Sequence, residues 1–116
     1  MVVDDSATVR QFAAYTLRAA GHEVITAPDG QQALEKMAVA PVDLLITDLN
    51  MPRLDGYSLV EAVRADAPDE ALPIVILSSL SDREAIDQGM ALGADAYLTK
   101  PFDEMRLQAE VEKHLD

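Results

Sequence analysis

The sequence predicts an α/β fold, an open doubly wound sheet of five parallel strands covered by five helices. Three observations predict it. Short apolar runs alternate with apolar stripes at helical spacing five times along 116 residues. The runs Val42 to Thr47 and Pro73 to Leu77 are apolar almost throughout, as strands covered on both faces are. No linker, low-complexity tract or cysteine framework interrupts the alternation, so residues 1–116 read as one domain. Five strands are too few for the usual eight-stranded barrel. An open sheet remains, and the order 2-1-3-4-5 is adopted from a common arrangement of such sheets.

Met1 to Val3 is the first strand, ending at Asp4 and Asp5. It is shorter than a usual strand of about 5–6 residues, so either the chain begins further upstream or the strand is brief. Ser6 reads as the N-cap of a helix that buries Val9, Phe12, Ala13, Leu17 and Ala20 and closes at Gly21. His22 to Thr26 is a second strand. Asp29 caps a helix through Ala40 whose inner face carries Ala33, Leu34, Met37 and Ala38; Pro41 ends it. Val42 to Thr47 forms the third strand, and Tyr57 to Ala65 a helix burying Leu59, Val60 and Val63. A polar loop from Asp66 to Glu70 leads to the fourth strand, which stops at Ser78 and Ser79. Ser81 or Asp82 caps a helix through Leu92, closed by Gly93; Gly89 inside it costs about 1 kcal/mol relative to Ala. Asp95 to Thr99 is the fifth strand, and a final helix capped by Asp103 buries Leu107, Val111 and Leu115.

Hydrophobic residues make up 49% of the chain and aromatics only 4%, so the core is aliphatic. The formal charge of −12 argues against nucleic acid or an anionic membrane as a direct partner, because both require cationic patches. The absence of cysteine removes thiolate metal sites and suits the cytoplasm. No membrane-spanning run or signal-peptide pattern is present. His22 and His114 have no partners at ligand spacing and read as surface residues.

Sites in such sheets form at the carboxyl ends of the strands. Strand 1 delivers Asp4 and Asp5 there, strand 3 Asp48, strand 4 Ser78, and strand 5 Thr99 and Lys100. Each has a bland reading taken singly: a solvated acidic pair, a turn acid, a turn serine, a surface lysine. Their fall on one edge overturns those readings. Neighbouring strands lie about 4.8 Å apart, which brings Asp4, Asp5 and Asp48 within contact range. Three carboxylates so placed repel unless a cation joins them, and an all-oxygen set selects Mg²⁺, or Mn²⁺, over Zn²⁺. The carbonyl of Asn50 is positioned to complete the shell with waters. A cation, the Lys100 ammonium and the Ser78 hydroxyl converging on Asp48 would stabilise a phosphoryl group attached to it.

Val2-Val3-Asp4-Asp5-Ser6, Thr47-Asp48-Leu49-Asn50-Met51-Pro52 through Gly56, Leu77-Ser78-Ser79 and Thr99-Lys100-Pro101-Phe102 together resemble a bacterial two-component response-regulator receiver domain. The resemblance covers essentially the whole chain, and Ser6 to Arg10 is most similar to chemotaxis-type receivers. It implies a flavodoxin-like fold, with Asp48 as phosphoacceptor. Asp5, Asp48 and the Asn50 carbonyl would bind Mg²⁺, with Asp4 acting through water. Lys100 would pair with Asp48, Ser78 and Tyr97 would act as switch residues, and the Lys100-Pro101 bond would be cis. The donor would be the phosphohistidine of a histidine kinase. The reader would be a protein docked on the face of helix 4, strand 5 and helix 5. Leu80, two residues past Ser78, is an apolar departure bearing on phosphoryl lifetime.

The chain would then be a phosphoacceptor signalling domain that assists its own phosphorylation and dephosphorylation. It would stand alone or be cut from a larger regulator or hybrid histidine kinase. A Mg²⁺-dependent phosphatase using Asp48 as nucleophile is the enzyme-class alternative. Such haloacid-dehalogenase-type enzymes usually carry a second Asp where this chain has Asn50, and a cap domain. A nucleotide- or flavin-binding module lacks its Gly-rich loop after strand 1.

Overall fold

The computed structural model describes residues 1–51, 53–66, 72–79 and 83–115. Its elements in order are β1 (Val2–Val3), α1 (Ala7–Ala19), β2 (Thr26–Ala27), α2 (Gly30–Met37), β3 (Leu45–Asp48), α3 (Gly56–Asp66), β4 (Ile74–Ser79), α4 (Arg83–Ala91), β5 (Ala96–Lys100) and α5 (Glu104–His114). The strands form one parallel sheet in the order β2-β1-β3-β4-β5.

Strand residues alternate between two cores, as the period of two requires. Val3, Leu45, Ile74 and Ile76 face α2, α3 and α4 through Ala33, Leu59, Val60 and Ala85. Val2, Ile46, Val75 and Leu77 face α1 and α5 through Ala13, Leu17, Leu107 and Val111. Both faces are therefore closed, and polar groups have only the strand ends as an outlet.

Three helix starts follow from local chemistry. Ser6 Oγ accepts the Val9 N–H at 3.3 Å, an Asp29 carboxylate oxygen the Gln32 N–H at 2.8 Å, and Asp103 the Arg106 N–H at 2.8 Å. Asp55 does the same for α3 through Ser58 N–H at 2.9 Å, one residue earlier than expected. Gly21 and Gly93 close their helices with φ of 98° and 118°. The expected caps Ser81 and Asp82, the departure at Leu80, Pro52 in the loop after β3 and most of the Asp66 to Glu70 loop lie outside the described residues.

Five expectations need correction. The second strand is Thr26–Ala27, not His22 to Thr26. His22 N–H is taken by the Leu17 carbonyl at the end of α1, and two-residue β1 has little to pair with. The third strand begins at Leu45 rather than Val42, and α2 stops at Met37, leaving Ala38 exposed. Phe12 is 37% exposed and lies against the Phe102 ring at 5.9 Å instead of entering the core, and Ala20 is exposed.

The β2 edge has a further feature. Its inward carbonyls, Ile25 and Ala27, accept the N–H groups of Val2 and Asp4. The alternate carbonyls point outward and meet side chains: Arg18 of α1 donates to Val24 at 2.9 Å, and Lys36 of α2 donates to Thr26 at 2.6 Å.

Candidate functional site

Register builds the site. Val3 of β1 lies beside Thr47 of β3, so the next residues, Asp4 and Asp48, emerge side by side. Asp48 itself pairs with Leu77, which places Ser78 one step beyond, and Ser79 pairs with Lys100. Carboxylate oxygens of Asp4, Asp5 and Asp48 all lie within 4.8 Å of one another. Asp4 and Asp48 are buried and Asp5 is exposed.

Lys100 leans toward Asp4 rather than Asp48. Its Nζ is 2.8 Å from Asp4 Oδ2 and 3.6 Å from Asp48 Oδ1, so the expected Lys100–Asp48 pair is the longer of two. Asp4 is also engaged on its other oxygen by the Ser6 N–H at 2.9 Å. Both its oxygens are thus occupied, whereas Asp5 faces solvent.

Asp48 sits among opposing influences. Burial raises its pKa above the ordinary 3.8, and so does the neighbouring Asp4 charge. Lys100 and the backbone N–H groups of Leu49 and Asn50, which donate to the carboxylate, pull it down without reversing the shift. Burial pulls Lys100 down, but its hydrogen bond to Asp4 and the charges of Asp48 and Asp4 outweigh that and hold it above 10.5.

Three carboxylates against one ammonium leave two negative charges in a largely buried space. The donor set is oxygen only, with no histidine in the cluster and no cysteine in the chain. A hard divalent cation fits that set.

The Ser78 side chain is buried, and its Oγ reaches the Ser79 carbonyl at 3.5 Å. Tyr97 is 39% exposed on β5. Asn50 is exposed just past β3. The Lys100-Pro101 bond is cis. Gly56 presses against the phosphoacceptor candidate: a Cβ there would lie 2.1 Å from the Asp48 carbonyl oxygen.

Two supporting residues escaped the sequence reading. Arg10 donates to the Asp4 carbonyl at 2.6 Å, and Arg106 donates to Thr99 Oγ1 at 3.0 Å, next to Lys100. Arg10 carries a signal in hindsight: it stands one turn past the Ser6 cap, on the side of α1 that faces the strand end.

A family profile described as the response regulator receiver domain matches residues 1–112. Protein PilG of Pseudomonas aeruginosa is 37% identical over 115 residues, spanning 99% of this chain and 85% of that protein. The gliding motility regulatory protein of Myxococcus xanthus is 40% identical over 100 residues, which are 86% of this chain but 13% of that protein. Among solved structures, the chemotaxis response regulator CheY4 of Vibrio cholerae superposes with a TM-score of 0.91 at 39% identity, covering 98% of this chain and 95% of that one.

Proposed function

The chain belongs to the response-regulator receiver family, and from that premise we propose that Asp48 accepts a phosphoryl group from the phosphohistidine of a histidine kinase. The observation that carries the proposal is the placement of Asp48: buried, beside two further carboxylates, and within 3.6 Å of the Lys100 ammonium.

In the proposed step an Asp48 carboxylate oxygen bonds to phosphorus as the P–N bond of the donor breaks. The imidazole nitrogen leaves with that electron pair and takes a proton from water. Asp5, Asp48 and the Asn50 carbonyl would hold Mg²⁺ directly; Asp4, with both oxygens engaged, acts through water. Bound Mg²⁺ supplies neutralising charge for the carboxylates and the incoming phosphoryl oxygens. Lys100 exchanges its Asp4 contact for the transferred oxygens, and the Ser78 hydroxyl donates to them.

Ser78, in contact with the phosphoryl group, passes the change at Asp48 to Tyr97. Tyr97 stands on β5 between α4 and α5, partly exposed, and its burial reshapes that face for a protein partner. Similarity to a chemotaxis regulator and to a gliding motility regulator supports a motility-type pathway. No helix among the described residues is long and apolar enough to cross a membrane.

Acetyl phosphate with Mg²⁺ tests the assignment. Intact-mass measurement should show one added phosphoryl group on the parent protein and none on Asp48→Asn. Equal labelling of the two would remove Asp48 from the role.

A further inference from the structure

Asp48 stands on β3 itself, where the sheet fixes it; Asn50 follows two residues later and is not paired in the sheet. It belongs to the β3–α3 loop, closed at its base by Gly56 N–H donating to the Leu49 carbonyl at 3.0 Å. The far end of that loop is held by α2. Gly30 N–H donates to the Leu54 carbonyl at 3.0 Å. No side chain fits at that approach, since a Gly30 Cβ would stand 2.5 Å from the same oxygen.

Asp29 adds a second tie. Capping α2 needs one oxygen of its carboxylate, which takes the Gln32 N–H at 2.8 Å. The other lies 3.5 Å from the Arg53 guanidinium, across 24 residues of sequence. The Asp29 side chain is 6% exposed, so its charge gains from a partner more than a surface acid would. Arg53 holds φ at 68°, a left-handed backbone that residues with a side chain rarely adopt. A glycine would take that turn without strain. The arginine there stands where its side chain meets the buried carboxylate.

We infer that Asp29, Gly30 and Arg53 form a latch that positions the β3–α3 loop, and with it the Asn50 carbonyl, against the acidic cluster. Asp29 and Arg53 are then positioning residues for the divalent cation. The inference rests on the reading of Asn50 as a ligand given above.

Calorimetric titration with Mg²⁺ tests it on the full chain, using Arg53→Ala, Asp29→Asn and the double variant. Asn keeps a capping oxygen, and Arg53 is exposed enough to be replaced without unfolding the chain. Each single change should weaken Mg²⁺ binding about tenfold, the lower end of what groups supporting metal ligands contribute. The double variant should be no weaker than either single one, because both break one contact. Arg53→Lys should recover part of the loss. Without metal, the Gly30 amide should exchange with solvent faster in both single variants. Faster exchange with unchanged Mg²⁺ affinity would make the contact structural only and overturn the latch. Asp5→Ala separates the two readings. Lost binding there, with unchanged affinity in the latch variants, sinks the latch alone. Undiminished binding there sinks the acidic cluster as the metal site, and the latch with it.

Discussion

Asp48 retains its proton to a higher pH in the folded chain than in the unfolded one, because burial and the Asp4 charge both oppose ionisation. The stability it contributes is therefore present below the ordinary carboxyl value of 3.8 and is lost as pH rises through the raised folded value. At neutral pH, above the ordinary carboxyl value, the metal-free protein carries this cost. Asp48→Asn should thus melt a few degrees above the parent at neutral pH without metal. The difference should shrink as pH falls toward 3.8, and thermal melts at both pH values check it. An asparagine variant melting below the parent at neutral pH would mean that Lys100 and the two amides outweigh the repulsion. At this scale the sequence revealed which groups meet, through the shared strand edge. It did not reveal that Lys100 prefers Asp4. That preference depends on the β1–β3 register and on the depth of each acid, and both are set by packing.

Two glycines separate two kinds of close approach between elements. At the start of α3, Gly56 faces backbone: a Cβ would meet the Asp48 carbonyl oxygen at 2.1 Å and Leu49 Cα at 2.7 Å. Gly56→Ala must push α3 away from β3, at about 1–3 kcal/mol or more. Within α4, Gly89 faces the tip of a side chain, Ile76 Cδ1, at 2.7 Å. A rotation of Ile76 relieves that contact, and the gain of about 1 kcal/mol from alanine in a helix offsets its cost. Urea denaturation should place Gly89→Ala within about 1 kcal/mol of the parent and Gly56→Ala well below it. The helix starts were legible because capping is local: Ser6, Asp29 and Asp103 each act on a residue three positions on. The second strand was misplaced because its length is decided by β1, not by its own apolar residues. Phe12 fits the helical stripe, but its partner Phe102 comes from the far end of the chain, and the pair forms at the surface.

Across the whole molecule, the end of the sheet opposite the acidic cluster is tied by one side chain. Arg64 of α3 donates to the Gly93 carbonyl at 3.0 and 2.8 Å, to the Leu72 carbonyl at 2.7 Å and to Asp95 Oδ2 at 2.8 Å. Asp95 in turn accepts the Ile74 N–H at 2.8 Å. A single guanidinium thus joins α3, the entry to β4 and the turn from α4 into β5. Arg64→Ala should cost about 2–4 kcal/mol in urea denaturation, since it strands several partly buried acceptors. Arg64→Lys should recover less than half, because an ammonium cannot span three carbonyl and carboxylate directions at once. Phosphoryl acceptance from acetyl phosphate should survive both changes, as none of these groups belongs to the acidic end.

The outward carbonyls of Val24 and Thr26, engaged by Arg18 and Lys36, bear on how copies of the chain behave when crowded. A bare sheet margin invites a foreign strand to add to it, and the addition repeats into ribbons and fibrils. Here the acceptors such a strand would need are already engaged by helices of the same chain. Two cations on an otherwise strongly anionic protein thus oppose strand addition at the β2 margin.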